Sequence, residues 1–288
     1  MVALKSNPMS MKVAVLGSGS GGNSTVVSCS DGDFLIDIGL SAKQIVLRLE
    51  LLGIDPDRLK GIFLTHEHSD HARGLNVFLK NRDIPVFANA MTKEALEYGI
   101  KSEVSWKVFQ TGQGFKVGSL MVNAFPIPHD AAEPVGFVVE SATAKFGLVT
   151  DVGCVTHSMR TNLKGADALF VEANYDEELL EADEKRPWST KQRISSRHGH
   201  LSNTQSGELI SEVGCEKLMA VLLGHLSSDC NNDHICKKTI QPLLENVGLK
   251  TVELICASQH EPTKWVEFGA KGDPFQMLQG ALEQEDLF

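Results

Sequence analysis

Short apolar runs broken by turn residues organise the start of the chain. Residues 12–18, KVAVLGS, are apolar and β-branched and predict a first strand. Residues 23–39, NSTVVSCSDGDFLIDIG, hold two β-rich runs joined by Ser30, Asp31 and Gly32, a turn signal, and predict a hairpin. The period then changes. In SAKQIVLRLELLG, residues 41–53, Ile45, Leu49 and Leu52 fall on one helical face, with Ser41 as cap and Gly53 as stop. LKGIFLTH (59–66) is a short buried strand that ends in polar residues, PVFAN (85–89) another strand, and TKEALEYG (92–99) a short helix. The second half repeats the style. SLMVNAFPIPHD (119–130), VGFVVES (135–141), KFGLVTDVG (145–153) and ALFVEANY (168–175) read as strands. NTQSGELISEVG (203–214) reads as a helix, LMAVLLGHL (218–226) as a strand, NDHICKKTIQPLLENVG (232–248) as a last helix and TVELICAS (251–258) as a last strand. Strands and helices alternate in both halves, so the class is α/β or mixed α+β.

Composition adds bounds. The 288 residues, 42% hydrophobic and 22% charged, suffice for a sizeable core. No apolar run approaches the roughly 20 residues of a membrane-spanning helix. Residues 1–10 carry no apolar h-region and read as a disordered lead. Residues 11–265 read as one domain and 266–288 as a tail. The six cysteines, Cys29, Cys154, Cys215, Cys230, Cys236 and Cys256, are scattered without metal-knot or redox spacing, which suits a reduced cytoplasmic protein. A net charge of −10 argues against a surface that coats nucleic acid, though not against a local basic patch.

Gly17, Gly19 and Gly22 form a G-x-G-x-x-G run, with Asp37 twenty residues past the first. A dinucleotide site needs a helix directly after such glycines, to hold pyrophosphate on free N–H groups. Here Asn23 leads into β-branched STVVSCS, so a strand follows and the dinucleotide reading fails. What remains is a tight turn of backbone N–H groups and serine hydroxyls, suited to an anion.

The densest chemistry is LTHEHSDH, residues 64–71. His66, His68 and His71, with Glu67 and Asp70, crowd the end of a buried strand, and imidazole with carboxylate suits zinc, manganese or iron. These residues resemble the metallo-β-lactamase superfamily, and the resemblance continues in order through PHD (His129), TDVG (Asp151) and LGHLS (His225). It implies a single-domain four-layer αβ/βα sandwich with ligands on loops at one edge. It also implies two divalent transition ions, Zn or Mn: His66, His68 and His129 on one, Asp70, His71 and His225 on the other, Asp151 bridging, and Asp37 behind the ligands as an orienting acid. Two divalent ions outweigh two carboxylates and one hydroxide, so the site stays net positive and suits an anionic phosphodiester; two metals about 3.5–4 Å apart also generate hydroxide at neutral pH.

Two more residues narrow the branch. Glu172 in LFVEANY and His200 in RHGHLSN stand where ribonuclease Z-like members carry a Glu–His pair, which implies that Glu172 orients His200 and His200 protonates the departing oxygen. The HLSN stretch also reads as a helix cap, with Ser202 or Asn203 as the capping residue. GSGSGGNST, DIGLS, LTHEHSDH, GHLSN and LGHLSSDCNN together are similar to the YycJ/WalJ group, regarded as metal-dependent 5′-to-3′ DNA exonucleases. The resemblance implies a nuclease of DNA repair or replication, with Asp70, Glu172 and His200 as its catalytic residues. The spacing leaves no room for a β-CASP domain, and the long arm of ribonuclease Z is not evident. Ser18, Ser20 and Asn23 are expected at a terminal phosphate; Asn231 and Asn232 at substrate or at a ligand loop. EKRPWSTKQRISSRHGH, residues 184–200, reads as a loop whose Arg193 and Arg197 hold backbone phosphates while Trp188 stacks on a base. The same ligand set serves a small-molecule cyclic phosphate phosphodiesterase, and less readily a non-catalytic metal-binding regulator. The last residues, Gln284, Leu287 and Phe288 in QEDLF, resemble the peptide that docks repair proteins on the bacterial sliding clamp.

Overall fold

The computed structural model describes residues 10–269. Among the described residues, fourteen strands and nine α-helices follow one another. The first half contains β1 (Met11–Gly17), β2 (Ser24–Cys29), β3 (Gly32–Ile36), α1 (Ala42–Leu51), β4 (Gly61–Phe63), α2 (Ser69–Ala72), α3 (Leu75–Phe78), β5 (Val86–Asn89), α4 (Ala90–Glu97) and β6 (Trp106–Phe109). Then come β7 (Gly114–Val117), β8 (Leu120–Pro126), β9 (Val135–Glu140), β10 (Lys145–Val149), α5 (His157–Leu163), β11 (Ala168–Glu172), α6 (Glu177–Ala182), α7 (Trp188–Ile194), α8 (Asn203–Val213), β12 (Ala220–Gly224), α9 (Asp233–Asn246), β13 (Glu253–Cys256) and β14 (Val266–Phe268).

The strands form two seven-stranded sheets, in the orders β14-β1-β2-β3-β4-β5-β6 and β13-β12-β11-β10-β9-β8-β7. Each is mixed. In the first, β1, β2 and β3 run antiparallel, and β3 through β6 run parallel. In the second, β7 through β10 are antiparallel, and β10 through β13 parallel. Alternation along each strand sends one set of side chains inward and the other outward. Val13, Phe34, Phe63, Val122, Phe137 and Phe170 therefore meet between the sheets. Ala14, Leu35 and Ile62 face outward under Ile45 and Leu49 of α1 and Leu75 and Phe78 of α3. Val138, Val149 and Val221 do the same under Leu163, Leu209, Ile210 and Ile240. The result is a four-layer αβ/βα sandwich.

Phe63 is the hub of the inner layer. Its ring lies 4.9 Å from that of Phe87, 5.7 Å from Phe137, 5.8 Å from Phe34 and 6.3 Å from Phe115. It thus links both sheets directly beneath the loop that carries His66. Phe63→Ala should destabilise the protein by about 3–5 kcal/mol, read as a lowered urea midpoint; an unchanged midpoint would mean the sheets do not meet there.

Two features differ from the sequence pattern. β14 pairs antiparallel with β1 (Met11 opposite Phe268), so buried Val266 and Phe268 join the core past residue 265. The run 184–200 is not all loop, for it contains α7 after Pro187; none of the helix's residues is buried, so no apolar periodicity marked it. Among the described residues no helix is long and apolar enough to cross a membrane.

Candidate metal centre

Parallel strands in register bring their carboxyl ends to one edge, where the following loops carry function. Ile36 pairs with Phe63, which sets Asp37 beside the loop that begins at Leu64. Val149 pairs with Val171 and Glu172 with Gly224, so Asp151, Glu172 and His225 come off three adjacent strands side by side. Val135 N donates to Thr65 O at 3.0 Å and joins the two sheets at this edge. His129, on the loop between β8 and β9, is thereby brought over the His66 loop.

Asp37, Asp151 and His225 all adopt positive φ, at 62°, 56° and 55°, and are the only non-glycine residues among those described to do so. Each such residue costs on the order of 1–3 kcal/mol unless its surroundings enforce it. The enforcement is visible. Asp37 N donates to Phe63 O, and Ser24 Oγ donates to Asp37 O. His225 N donates to Ser18 Oγ at 2.7 Å, and Asn174 Nδ2 donates to His225 O at 2.7 Å.

The seven expected ligands converge. His66, His68 and His129 form one group whose donor atoms all lie within 4.8 Å of one another. Asp151 sits in the middle. Its Oδ2 is 2.9 Å from His71 Nε2; its Oδ1 is 3.3 Å from His225 Nδ1 and 3.9 Å from His129 Nε2. Asp70 lies at the rim of this cluster, its Oδ2 3.5 Å from His71 Nε2 and 4.0 Å from His225 Nε2. Asp151, Glu172, His200 and His225 make a further group of adjacent donors.

Among the buried imidazole nitrogens without a hydrogen-bond partner are His66 Nε2 and His225 Nδ1; the latter faces Asp151 without hydrogen-bond geometry. An unsatisfied buried polar atom costs about 1–3 kcal/mol, and a divalent cation among these lone pairs and carboxylate oxygens would satisfy both. Charge agrees. Burial, reinforced by His71, holds His66 well below 6.5, so its ring is neutral and its lone pair available. Burial likewise lowers His129. For Asp151, burial alone would raise the pKa, but His225 and His71 outweigh it and keep the carboxyl ionised. Burial would lower His225, yet Asp151 and Glu172 raise it to about 9. Negative charge here is thus held against burial by surrounding cations, which is the balance a metal ion would supply. The residues fit divalent metal.

Hydrogen bonds with Asp37 and Thr65 fix the imidazoles. Asp37 Oδ2 is 2.7 Å from His71 Nδ1 and accepts from Thr65 Oγ1 at 2.8 Å; Thr65 N donates to Asp37 Oδ1. Thr65 Oγ1 is also 2.9 Å from His66 Nδ1. One carboxylate therefore orients His71 directly and His66 through a threonine. Thr65 is fully buried. It was overlooked in the sequence, although its place before the first histidine at a strand end was the available signal. Thr65→Val keeps the shape and removes the hydroxyl. It should weaken metal affinity or turnover about 10–100-fold, the usual cost of losing such a partner; metal titration with unchanged affinity and turnover would remove Thr65 from this role.

His200 Nδ1 is 2.7 Å from Glu172 Oε1, and Val152 N donates to Glu172 Oε2 at 2.8 Å. Burial would raise the fully enclosed Glu172; His200 and His225 outweigh it and hold it below the usual range. Ser202 caps α8 with a full capping box, so the HLSN stretch terminates a loop and starts a helix just past His200.

The other expected residues divide. Ser18 and Asn23 are buried: Ser18 Oγ donates to Asn23 Oδ1, and Asn23 Nδ2 is 3.1 Å from His71 Nε2 and 3.4 Å from Asp70 Oδ2. Ser20 is exposed on the glycine turn. Gln259, unmarked in the sequence, lies across that turn, accepting from Gly21 N and donating to Gly22 O. A side chain at Gly21 would strike it at 2.6 Å. Asn231 is buried in a reciprocal pair with Asn203 and donates to Ala173 O; Asn232 caps α9. Arg193 and Arg197 are exposed.

A sandwich of two mixed sheets with histidines and carboxylates on the strand-end loops of one edge is the architecture of the metallo-β-lactamase fold. A family model described as the beta-lactamase superfamily domain matches residues 33–222. The chain is 34% identical over 243 residues to the exodeoxyribonuclease YycJ of Bacillus anthracis, covering 83% of this chain and 91% of that protein. It is 34% identical over 242 residues to the exodeoxyribonuclease WalJ of Streptococcus pneumoniae, covering 83% and 90%. The crystal structure of the metallo-beta-lactamase fold protein YhfI from Bacillus subtilis superposes with a TM-score of 0.69 at 17% identity, over 90% of this chain and all of that one. The chain belongs to the YycJ/WalJ family of the metallo-β-lactamase superfamily.

Proposed function

We propose that the protein is a dinuclear-metal phosphodiesterase that removes nucleotides from the 5′ end of DNA. The observation that carries this reading is the Glu172–His200 pair, 2.7 Å apart, set against the convergent cluster of His66, His68, His71, His129, His225, Asp70 and Asp151. The names of the YycJ and WalJ relatives support it. His66, His68 and His129 would hold one ion, Asp70, His71 and His225 the second, and Asp151 both; the ions are Zn or Mn. When bound, such ions activate water and neutralise charge developing on phosphorus.

The chain's own residues do the rest. Glu172 is locked by Val152 N and keeps His200 Nδ1 as its partner, so the free Nε2 carries the proton for the departing O3′ oxygen. Ser18 and Asn23 hold the His225 and Asp70–His71 loops in place, and Ser20 remains exposed for a terminal phosphate. The six free cysteines fit a reducing cytoplasm.

The test is a panel of single-stranded and duplex DNA with 5′-phosphate or 5′-hydroxyl ends, RNA and a cyclic phosphodiester, each with Mn²⁺ and Zn²⁺. Release of nucleotides from 5′ DNA ends supports the reading. Turnover of the cyclic diester without DNA cleavage overturns it.

The sliding-clamp contact proposed for Gln284, Leu287 and Phe288 lies outside the described residues. A tether of that kind raises effective concentration on DNA without a basic surface, which would suit a net charge of −10. Full-length protein should bind the clamp, and a variant with Leu287 and Phe288 changed to Ala should not; equal affinity discards the contact.

A further inference from the structure

The basic run at 184–200 separates into two kinds of cation. Lys185 Nζ and Arg186 Nη2 pair with the two oxygens of Asp229 at 2.9 and 2.8 Å; Arg186 also pairs with Asp183. Lys191 Nζ donates to Glu181 O. These three fasten the segment to the body and to the loop after His225. Arg193 and Arg197 are exposed and make no side-chain hydrogen bond or ion pair to another described residue. Trp188, at the start of the same helix, is 67% exposed.

The far end of α7 is mounted on the catalytic edge. His200 N donates to Ile194 O at 2.8 Å. A Cβ at Gly199 would lie 2.2 Å from the carbonyl oxygens of Arg193 and Ile194, so only glycine lets the chain turn back this tightly onto the helix. A Cβ at Gly153, two residues after Asp151, would lie 2.3 Å from the Arg197 carbonyl carbon. The backbone at Arg197 and Arg193 is therefore packed beside the site, and Trp188 stands about 7.5 Å of helix axis before Arg193. The loop after His129 is acidic: it carries Asp130 and Glu133, and Glu67 Oε1 accepts from Ala132 N.

We infer that α7 is the platform for an unpaired nucleic-acid strand that continues from the scissile diester. Arg197 and Arg193 hold successive phosphates, Trp188 stacks on a base a few nucleotides away, and the acidic 130–133 loop repels the strand from its own side of the site. An exposed indole needs a free base face, which a fully paired duplex does not offer. Because the helix also anchors His200, a strand seated on it fixes the proton donor over the bond to be cut. This inference rests on the nucleic-acid reading above and specifies its substrate class.

The experiment measures kcat/KM of the full-length metal-loaded protein on 5′-phosphorylated single-stranded DNA of two, four and eight nucleotides, and on a small aryl phosphodiester. In the wild type, kcat/KM should rise by about tenfold or more from two to eight nucleotides. Trp188→Ala should lose about tenfold of that gain, the loss of one stacked base, and Trp188→Phe should restore most of it. Arg193→Ala with Arg197→Ala should lower the slope of log affinity against log salt by about 1.4, two phosphate contacts at about 0.7 each. A length gain and salt slope equal to the wild type in these variants would overturn the platform while leaving the nuclease reading standing. Hydrolysis of the aryl diester with no cleavage of any oligonucleotide would overturn both.

Discussion

Asp151→Ala should leave a protein with no measurable DNA cleavage and with neither metal position filled. Asp151 is the residue that touches both halves of the cluster, with Oδ2 toward His71 and Oδ1 toward His225 and His129. Removing it deletes both oxygens at once and takes from His71 and His225 the carboxylate they share, leaving only Asp37 beside the one and Glu172 beside the other. Breaking a buried charge arrangement from one side typically costs 3–5 kcal/mol, so the melting temperature of the metal-free variant should fall as well. His225→Ala removes a donor from one position and should empty mainly that one. Elemental analysis beside a cleavage assay reads both. Two ions per chain in Asp151→Ala would show that the carboxylate does not bridge.

His200→Ala should cut the chemical step by about 10²–10⁴, the usual range for a general acid–base group, with metal content kept. The reason for that separation is geometric. His200 is committed to Glu172 at 2.7 Å, whereas its nearest approach to Asp151 Oδ1 is 3.8 Å. Its loop is held by the bond from His200 N to Ile194 O, which the substitution leaves in place. Glu172→Gln should produce a smaller loss, since the amide keeps the bond from Val152 N but not the charge that steadies a protonated ring. Single-turnover rates measure the step apart from binding. A parallel fall in metal content would make His200 a ligand instead, as its grouping with Asp151, Glu172 and His225 permits.

Most of the candidate metal and acid side chains were legible in the sequence because they end or follow a strand whose apolar run is plain: GIFLTHEHSDH, FGLVTD, ALFVE and AVLLGH. Parallel register then does what spacing cannot show, aligning Glu172 beside Gly224 and the strand that leads to Asp151 beside the strand of Glu172. The glycine run was correctly refused as a dinucleotide site, since β2 and not a helix follows it. Its reason lay out of reach, because the residue packed over it, Gln259, is 238 positions from Gly21. The same holds for Asn174, which pins His225 O, and for the left-handed backbone at Asp37, Asp151 and His225. No local pattern encodes these; at Asp37 and His225 long-range hydrogen bonds enforce the backbone. α7 escaped for the opposite reason, as a helix that buries nothing leaves no periodic trace.

On this mechanism, DNA cleavage runs on metal held by the cluster. The most direct measurement follows a 5′-phosphorylated DNA strand with full-length protein before chelation, after exhaustive chelation and dialysis, and after Mn²⁺ or Zn²⁺ is restored. Nucleotide release should stop on chelation and return with metal, in proportion to ions bound up to two per chain. Release that continues undiminished in metal-free protein, or DNA left intact by fully loaded protein, would contradict the account.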